Sequence, residues 1–261
     1  MARPAGARMK KGGALLAVLA LVALVAPLMA PYAPDALDLA NRRAAPSLGH
    51  WFGTDDIGRD VFSRALFGGR VSIAIGLLAA LVAVSVGVAV GAAAGYVGGW
   101  IDAVLMRTTD AVLSMPRLLL LMVAAATLQP SVPALVLLVG AVGWMETARV
   151  TRAAVRSLAG SDYVTAAMAV GAGHVRVVWR HVLRNAAGAI RTAAVLAVGR
   201  AILVESALSF FGVGVQPPSA TWGSMLYQAQ SAMATEPWLA LFPGACIVLT
   251  VGGLTIAADR A

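Results

Sequence analysis

Asp55, Asp56 and Asp60 crowd into six positions and are interleaved with Arg59 and Arg64. Carboxylates at that density can ligate a hard cation or form ion pairs. The interleaved arginines favour an ion-pair cluster set against a partner subunit. The three histidines, His50, His174 and His181, are scattered without metal-ligand spacing, and the single Cys246 sits in an apolar run, so no disulfide framework exists. No glycine-rich segment is followed by Lys-Ser or Lys-Thr, which removes a nucleotide-binding loop. No constellation of His, Asp, Ser or Cys at membrane depth suggests an intramembrane enzyme, and no catalytic residue is expected. Arg200 and Glu205 do lie in an apolar stretch, where ionisable groups are costly and face protein or water. At i and i+5 they point about 140° apart on a helix and do not pair with each other. Either they line a polar pathway or touch another subunit, or Arg200 is satisfied by a neighbouring helix and Glu205 by a loop.

A second pattern is basic. Residues 149–191 hold seven arginines. Arg149, Arg152 and Arg156 share one helical face. Gly160 can stop that helix, Ser161 can cap the next, and Asp162 suits its first turn. A short apolar stretch with Ala166, Ala167, Ala169 and Val170 then meets Gly171-Ala172-Gly173. Beyond it, Val175, Val178, Trp179 and Val182 form one stripe and Arg176, Arg180 and Arg184 another. The spacing predicts a bent pair of helices whose small residues permit close approach. It fits a docking surface for a soluble partner or an amphipathic segment held on anionic lipid.

The elements that position these residues are read from composition and charge. The chain is 60% hydrophobic and 12% charged, about half the charge of a soluble domain. Residues 12–31 carry no charge over 20 positions and residues 71–100 none over 30, enough for spans that need about 20 apolar residues. This is an integral membrane protein. The net charge of +8 therefore speaks to topology rather than nucleic acid. The basic start followed by an apolar run is read as a retained first helix rather than a cleaved signal. Helices are expected at 12–31, within 71–99, at 110–128, 132–150, 187–210 and 238–257, with a polar segment at 32–70. Two crossings between 110 and 150 place the seven arginines on the same, inner side as the basic N-terminus.

Several blocks resemble a known family. Tyr163-Val164-Thr165-Ala166-Ala167, then Gly171-Ala172, with His181, Leu183 and Asn185 downstream, resembles the cytoplasmic loop of ABC importer permeases. Residues 53–64, including Asp55, Asp56, Arg59, Asp60 and Arg64, are similar to the signature after the first helix in the dipeptide, oligopeptide and nickel permease branch. So is the run from Glu205 through Gln216-Pro217-Pro218 to Trp222-Gly223, followed by Pro237-Trp238 and Phe242-Pro243-Gly244. Thr165 stands where the family motif usually has glutamate, and Arg184 where it has proline.

The resemblance implies an all-α type I ABC importer permease fold with six transmembrane helices and a cytoplasmic coupling helix. It divides the chain into an N-terminal helix and external loop (1–70), a core permease domain (71–257) and a short cytoplasmic tail (258–261). It implies the second, C-type permease of an importer in a bacterial cytoplasmic membrane, both termini inside. Its partners would be a related second permease, two cytoplasmic ATP-binding subunits, an extracytoplasmic solute-binding protein and membrane lipid. ATP and Mg would bind the ATPases, and no cofactor this chain. His181 is expected to donate a structural hydrogen bond in the coupling loop, and residues 53–64 to make an external-loop contact. Di- or oligopeptides lead as substrate; nickel chelates or other small solutes are the alternative. An ATP-independent secondary transporter would need no docking segment and would show inverted repeats or broken helices with midplane ion ligands.

Overall fold

The computed structural model describes residues 25–128 and 131–258. Among them the regular secondary structure is helical, apart from an isolated antiparallel bridge between Thr54 and Asp60. The expected first span and its retention fall mostly outside the described residues; residues 25–29, at its end, are helical.

Helix α1 runs Val61–Val97, starting well before the expected 71. Arg64 and Arg70 fall in the expected polar segment, since charge in an apolar run signals the end of a span. Here Asp60 caps the helix, its Oδ2 accepting from the Ser63 N–H at 2.7 Å, and Arg64 turns back into the preceding loop, donating to the Pro34 carbonyl at 3.2 Å. The far end is as expected. Gly98, with φ 68°, closes α1, in the left-handed region that glycine occupies freely.

The next four elements are short. Helices α2 (Gly99–Leu113) and α3 (Arg117–Leu128) meet at 77°. A continuous helix at 110–128 was expected, but Pro116 disfavours helical backbone at the residue before it, and the chain breaks there. Helices α4 (Val132–Ala141) and α5 (Trp144–Ala159) meet at 41°, so the expected 132–150 helix is also bent and runs further. Then come α6 (Asp162–Ala169), α7 (His174–Phe210), α8 (Trp222–Ala229) and α9 (Trp238–Ala258). Helix α9 matches its expected bounds within a residue. Helix α7 begins earlier than the expected 187 and continues through a π turn at Val178–Val182.

Helices α1, α7 and α9 are each long and apolar enough to cross a membrane, and each bent pair has the composition of one broken span. Leu135 and Val139 of α4 pack with Leu121 of α3, Ile75 of α1 and Leu208 of α7 in one buried cluster. The bundle has two ends. Residues 32–60, the turn after α7 and helix α8 lie at one, the loop end; α6 lies at the other.

Helices α1 and α5 form the closest pair. Gly87, Gly91 and Gly95 recur every four residues on one face of α1, and each leaves no room for a side chain. A Cβ at Gly95 would stand 2.7 Å from the Arg152 carbonyl, and one at Gly91 would stand 2.7 Å from Thr151 Cβ. Small residues let two backbones approach, with packing rather than water expulsion as the driving force in lipid. Gly91→Val is therefore expected to destabilise the detergent-solubilised chain by about 3 kcal/mol, read as a lower midpoint in chemical denaturation. An unchanged midpoint would show that these helices can separate freely.

Candidate functional site

The α6 end is built around one buried contact set. Val155 of α5, Val164 of α6, and Val177 and Val182 of α7 are all fully buried, packed with Ala92 of α1. Val177 and Val182 are five apart, which in a regular α-helix would turn them to different faces. The π turn closes over one extra residue and brings both inward. The expected stripe of Val175, Val178, Trp179 and Val182 is split: Val182 turns into the core, while Val175 and Trp179, 75% and 71% exposed, line with Val178 an apolar groove of about 970 Å³ beside Val88, Ala92 and Tyr96 of α1.

Helix α6 stops and starts where the glycines and serine suggested. Gly160 ends α5, and Ser161 stands at the α6 N-cap position. Its hydroxyl donates back to the Leu158 carbonyl rather than accepting from the α6 first turn. At the other end the Gly171 N–H donates to the Met168 carbonyl at 2.9 Å and the Ala172 N–H to the Ala167 carbonyl at 3.1 Å. That paired closure needs a left-handed residue between helix and exit, and Gly171 supplies it with φ 89°. The Tyr96 hydroxyl lies 2.9 Å from His174 Nδ1 and 3.9 Å from the Met168 sulfur, tying the turn to α1.

The candidate residues divide by face. Tyr163, Thr165, Ala166 and Gly171 are exposed. Ala167, Ala172 and Leu183 pack against the buried valines. Asn185 donates to the His181 carbonyl at 2.9 Å. The expected donor role of the His181 ring is not seen among the described residues; His174 makes the histidine contact instead, because it faces Tyr96 across the turn. Of the seven arginines, three are already engaged by acids on α2. Arg152 makes a bidentate pair with Asp102, Arg156 reaches Asp102 at 3.1 Å, and Arg149 pairs with Asp110. Arg176, Arg180 and Arg184 remain exposed.

At the loop end the aspartates and arginines do pair. Asp55 accepts from Arg59 Nε at 2.6 Å and from the Ile57 and Arg59 backbone N–H groups at 3.1 and 2.9 Å. Arg64, with 3% of its side chain exposed, lies 3.7 Å from the same carboxylate and 3.5 Å from Asp35. Asp60 is spent on its cap and on His50 Nδ1 at 3.0 Å, while Asp56 is exposed. The three carboxylates diverge rather than enclose a cation. Nearby, the Asn41 side-chain amide donates to Asp38 and holds that carboxyl below its ordinary value. Asp55→Ala removes acceptors for three donors and is expected to loosen residues 32–60 by about 2 kcal/mol. Trypsin should then cut after Arg42 or Arg43 at least tenfold faster; an unchanged rate would count against Asp55 as the organiser.

Two further polar groups sit within the helices. Glu205 is fully buried. It accepts from Ser209 Oγ at 2.8 Å and Ser72 Oγ at 3.1 Å. Those hydroxyls accept in turn from the Val215 and Trp222 backbone N–H groups at 3.3 and 3.2 Å. Glu205 thus binds α1, α7 and the start of α8 together. Arg200 is met by a neighbouring helix, its Nη1 lying 2.8 Å from Glu146 Oε2 of α5, and Arg117 Nη1 of α3 lies 3.7 Å from Glu146 Oε1. Sequence reasoning had no signal for Glu146, Arg117, Asp102 or the serines, whose partners are distant in the chain.

A model of the family described as binding-protein-dependent transport system inner membrane component matches residues 87–261, taking in α6, its glycine turn and the Glu205 network. The chain belongs to that family. A second model, the N-terminal TM domain of oligopeptide transport permease C, matches residues 12–46 of the permease. The permease is 36% identical over 220 residues to the dipeptide transport system permease protein of Alkalihalophilus pseudofirmus, spanning 84% of this chain and 72% of that protein. It is 35% identical over 233 residues to the oligopeptide transport system permease protein of Bacillus subtilis, spanning 89% and 76%. The motif resemblance and the helical permease fold thus hold: this is a multi-pass inner-membrane permease of the ABC importer class, which works with an ATPase and a binding protein.

Proposed function

We propose that this permease is the C-type member of a heterodimer that imports di- or oligopeptides, driven by two ATPase subunits and supplied by an extracytoplasmic binding protein. The observation that carries the coupling role is α6: a short helix with Tyr163, Thr165 and Ala166 exposed, anchored by the buried Val164 and bounded by Gly160 and the left-handed Gly171. A rigidly seated helix with a small-residue outer face fits a groove on a partner. Peptide as substrate is supported by the dipeptide and oligopeptide names of the relatives.

In this reading both termini and α6 lie in the cytoplasm, residues 32–60 and α8 face outward, and six helices cross the bilayer. Exposed leucines such as Leu81 and Leu249 face lipid. Asp55, Asp56, Arg59, Asp60 and Arg64 shape the external loop that contacts other components. ATP and Mg bind the ATPases, whose closure draws the coupling helices together and biases the permease between two states. The chain itself carries substrate and force and catalyses no reaction.

The test is affinity purification of the tagged permease from its own membrane, followed by ATP-dependent uptake in vesicles of the recovered complex. A second permease, an ATPase and a binding protein, with peptide uptake that requires ATP, are the expected results. A lone or homomeric protein whose transport ignores ATP would overturn the reading.

A further inference from the structure

We propose that Arg117, Glu146 and Arg200 form a carboxylate-recognition site at mid-depth in the permease, which receives the C-terminal carboxylate of a peptide in transit. The proposal rests on the peptide-importer reading above and deepens it.

Three helices, α3, α5 and α7, bring these groups together from distant parts of the sequence. Two guanidinium groups share one carboxylate, so the cluster keeps one net positive charge. Asp102 is shared in the same two-to-one ratio by Arg152 and Arg156, but there Arg156 is 64% exposed to solvent; at Glu146 both guanidinium groups are held between helices, neither more than about a third exposed. Arg117 Nε is buried with no hydrogen-bond partner among the described residues, so the donor capacity of the site is not exhausted.

Depth and exposure decide what the site can face. Arg200 lies ten residues before the end of α7 at Phe210, about 15 Å along the helix axis. Arg117 precedes the end of α3 at Leu128 by eleven residues, about 16 Å. Taking Phe210 and Leu128 as the outer edge of a hydrocarbon core about 30 Å thick places both near the midplane. The Arg117, Arg200 and Glu146 side chains are 24%, 32% and 39% exposed. Partly exposed charges at that depth face protein or a water-filled path rather than lipid. The cluster also lies against the bend between α4 and α5, where a Cβ on Gly143 would stand 3.4 Å from Arg117 Nη2; Glu146 occupies the first turn of α5, whose N-terminal dipole adds positive potential. A guanidinium offers parallel N–H donors that match the two oxygens of a carboxylate. The ligand class that completes this arrangement is a small anionic carboxylate.

The experiment measures ATP-dependent uptake of di-, tri- and tetra-alanine and their C-terminal amides by vesicles holding the complete transporter, normalised to assembled complex. Arg200→Gln should lower uptake of the free acids at least tenfold and leave amide uptake at the wild-type level. Arg200→Lys should restore a large part of it. Glu146→Gln, which removes the anion that competes for both guanidinium groups and raises the net charge to two, should shift uptake further toward the free acids over the amides. If Arg200→Gln and Glu146→Gln fail alike, the cluster is a structural ion pair and the proposal is overturned. It is also overturned if Arg200→Gln reduces the amount of assembled complex, which would make Arg200 a subunit contact. A wild-type transporter that takes up none of these peptides with ATP would overturn the peptide reading itself, an outcome distinct from the variant results.

Discussion

Replacing Gly171 with aspartate is expected to abolish ATP-driven uptake, by at least a hundredfold, while the permease still inserts and folds. The separation follows from two facts about the same residue. Its φ of 89° lies where a side chain costs about 1–2 kcal/mol, enough to disturb the closure made by the Gly171 and Ala172 N–H groups. Yet a Cβ there meets nothing within 4 Å, so the bundle itself loses no packing. The aspartate also sets a negative charge at the C-terminal end of α6, where the helix dipole disfavours it. What changes is the exit angle of α6 and the surface beside Ala166, both of which a docked ATPase would meet. Uptake and stimulated ATP hydrolysis in vesicles, alongside trypsin resistance of the permease, check this. Uptake at the wild-type rate from an intact complex would remove α6 as the coupling element.

Glu205→Ala is expected to lower the stability of the permease by about 4 kcal/mol, from two lost hydrogen bonds to a buried carboxylate at about 2 kcal/mol each. The loss spreads beyond one residue because Ser72 and Ser209 each pass the connection on, to the Trp222 and Val215 N–H groups. Gly223 presses α8 against the same site, where a Cβ would stand 2.5 Å from the Ser206 carbonyl. The turn 212–221 should become protease-sensitive before the rest of the bundle unfolds. Glu205→Gln keeps one acceptor oxygen and should cost about half as much. The checks are chemical denaturation in detergent and the order in which cleavage sites appear. Equal stability of Glu205→Ala and the wild type would mean that the network is incidental.

The parts of the fold visible in the sequence are those set by local chemistry. Gly98 ends α1 and Gly171 turns the chain out of α6, both at positive φ, a backbone demand that glycine meets and that can be read one residue at a time; Gly160 also separates α5 from α6, at a φ of -93° that other residues share. The end helix, α9, was legible because an apolar run between Pro237 and Asp259 leaves little choice. The start of α1 was not, since a charge in an apolar helix looks like its end until its partner is known; Arg64 stays helical because Asp55 and Pro34 lie against it. The arginines of α5 were placed on one face correctly, but of their partners Asp102 fell between expected helices and Asp110 at the start of the expected 110–128 helix, and both belong to α2. The stripe of Val175, Val178, Trp179 and Val182 is divided between groove and core for another reason. Periodicity assumes one helical pitch, and the π turn changes the pitch where the valines must reach the core.

Helix α7 is continuous from His174 to Phe210, about 55 Å of hydrogen-bonded rod at 1.5 Å per residue. Its first residue touches Tyr96 beside α6, and its last turns hold Glu205 and Ser209 at the opposite end. Such a rod has no slack along its length, so it behaves as a seesaw: a tilt of about 5° about its middle moves each tip by about 2.4 Å, in opposite directions. The two ends of the permease therefore cannot loosen independently. A push that closes one tip against its neighbours must pry at the other, and the stiffness of the Glu205 staple sets how hard that push has to be.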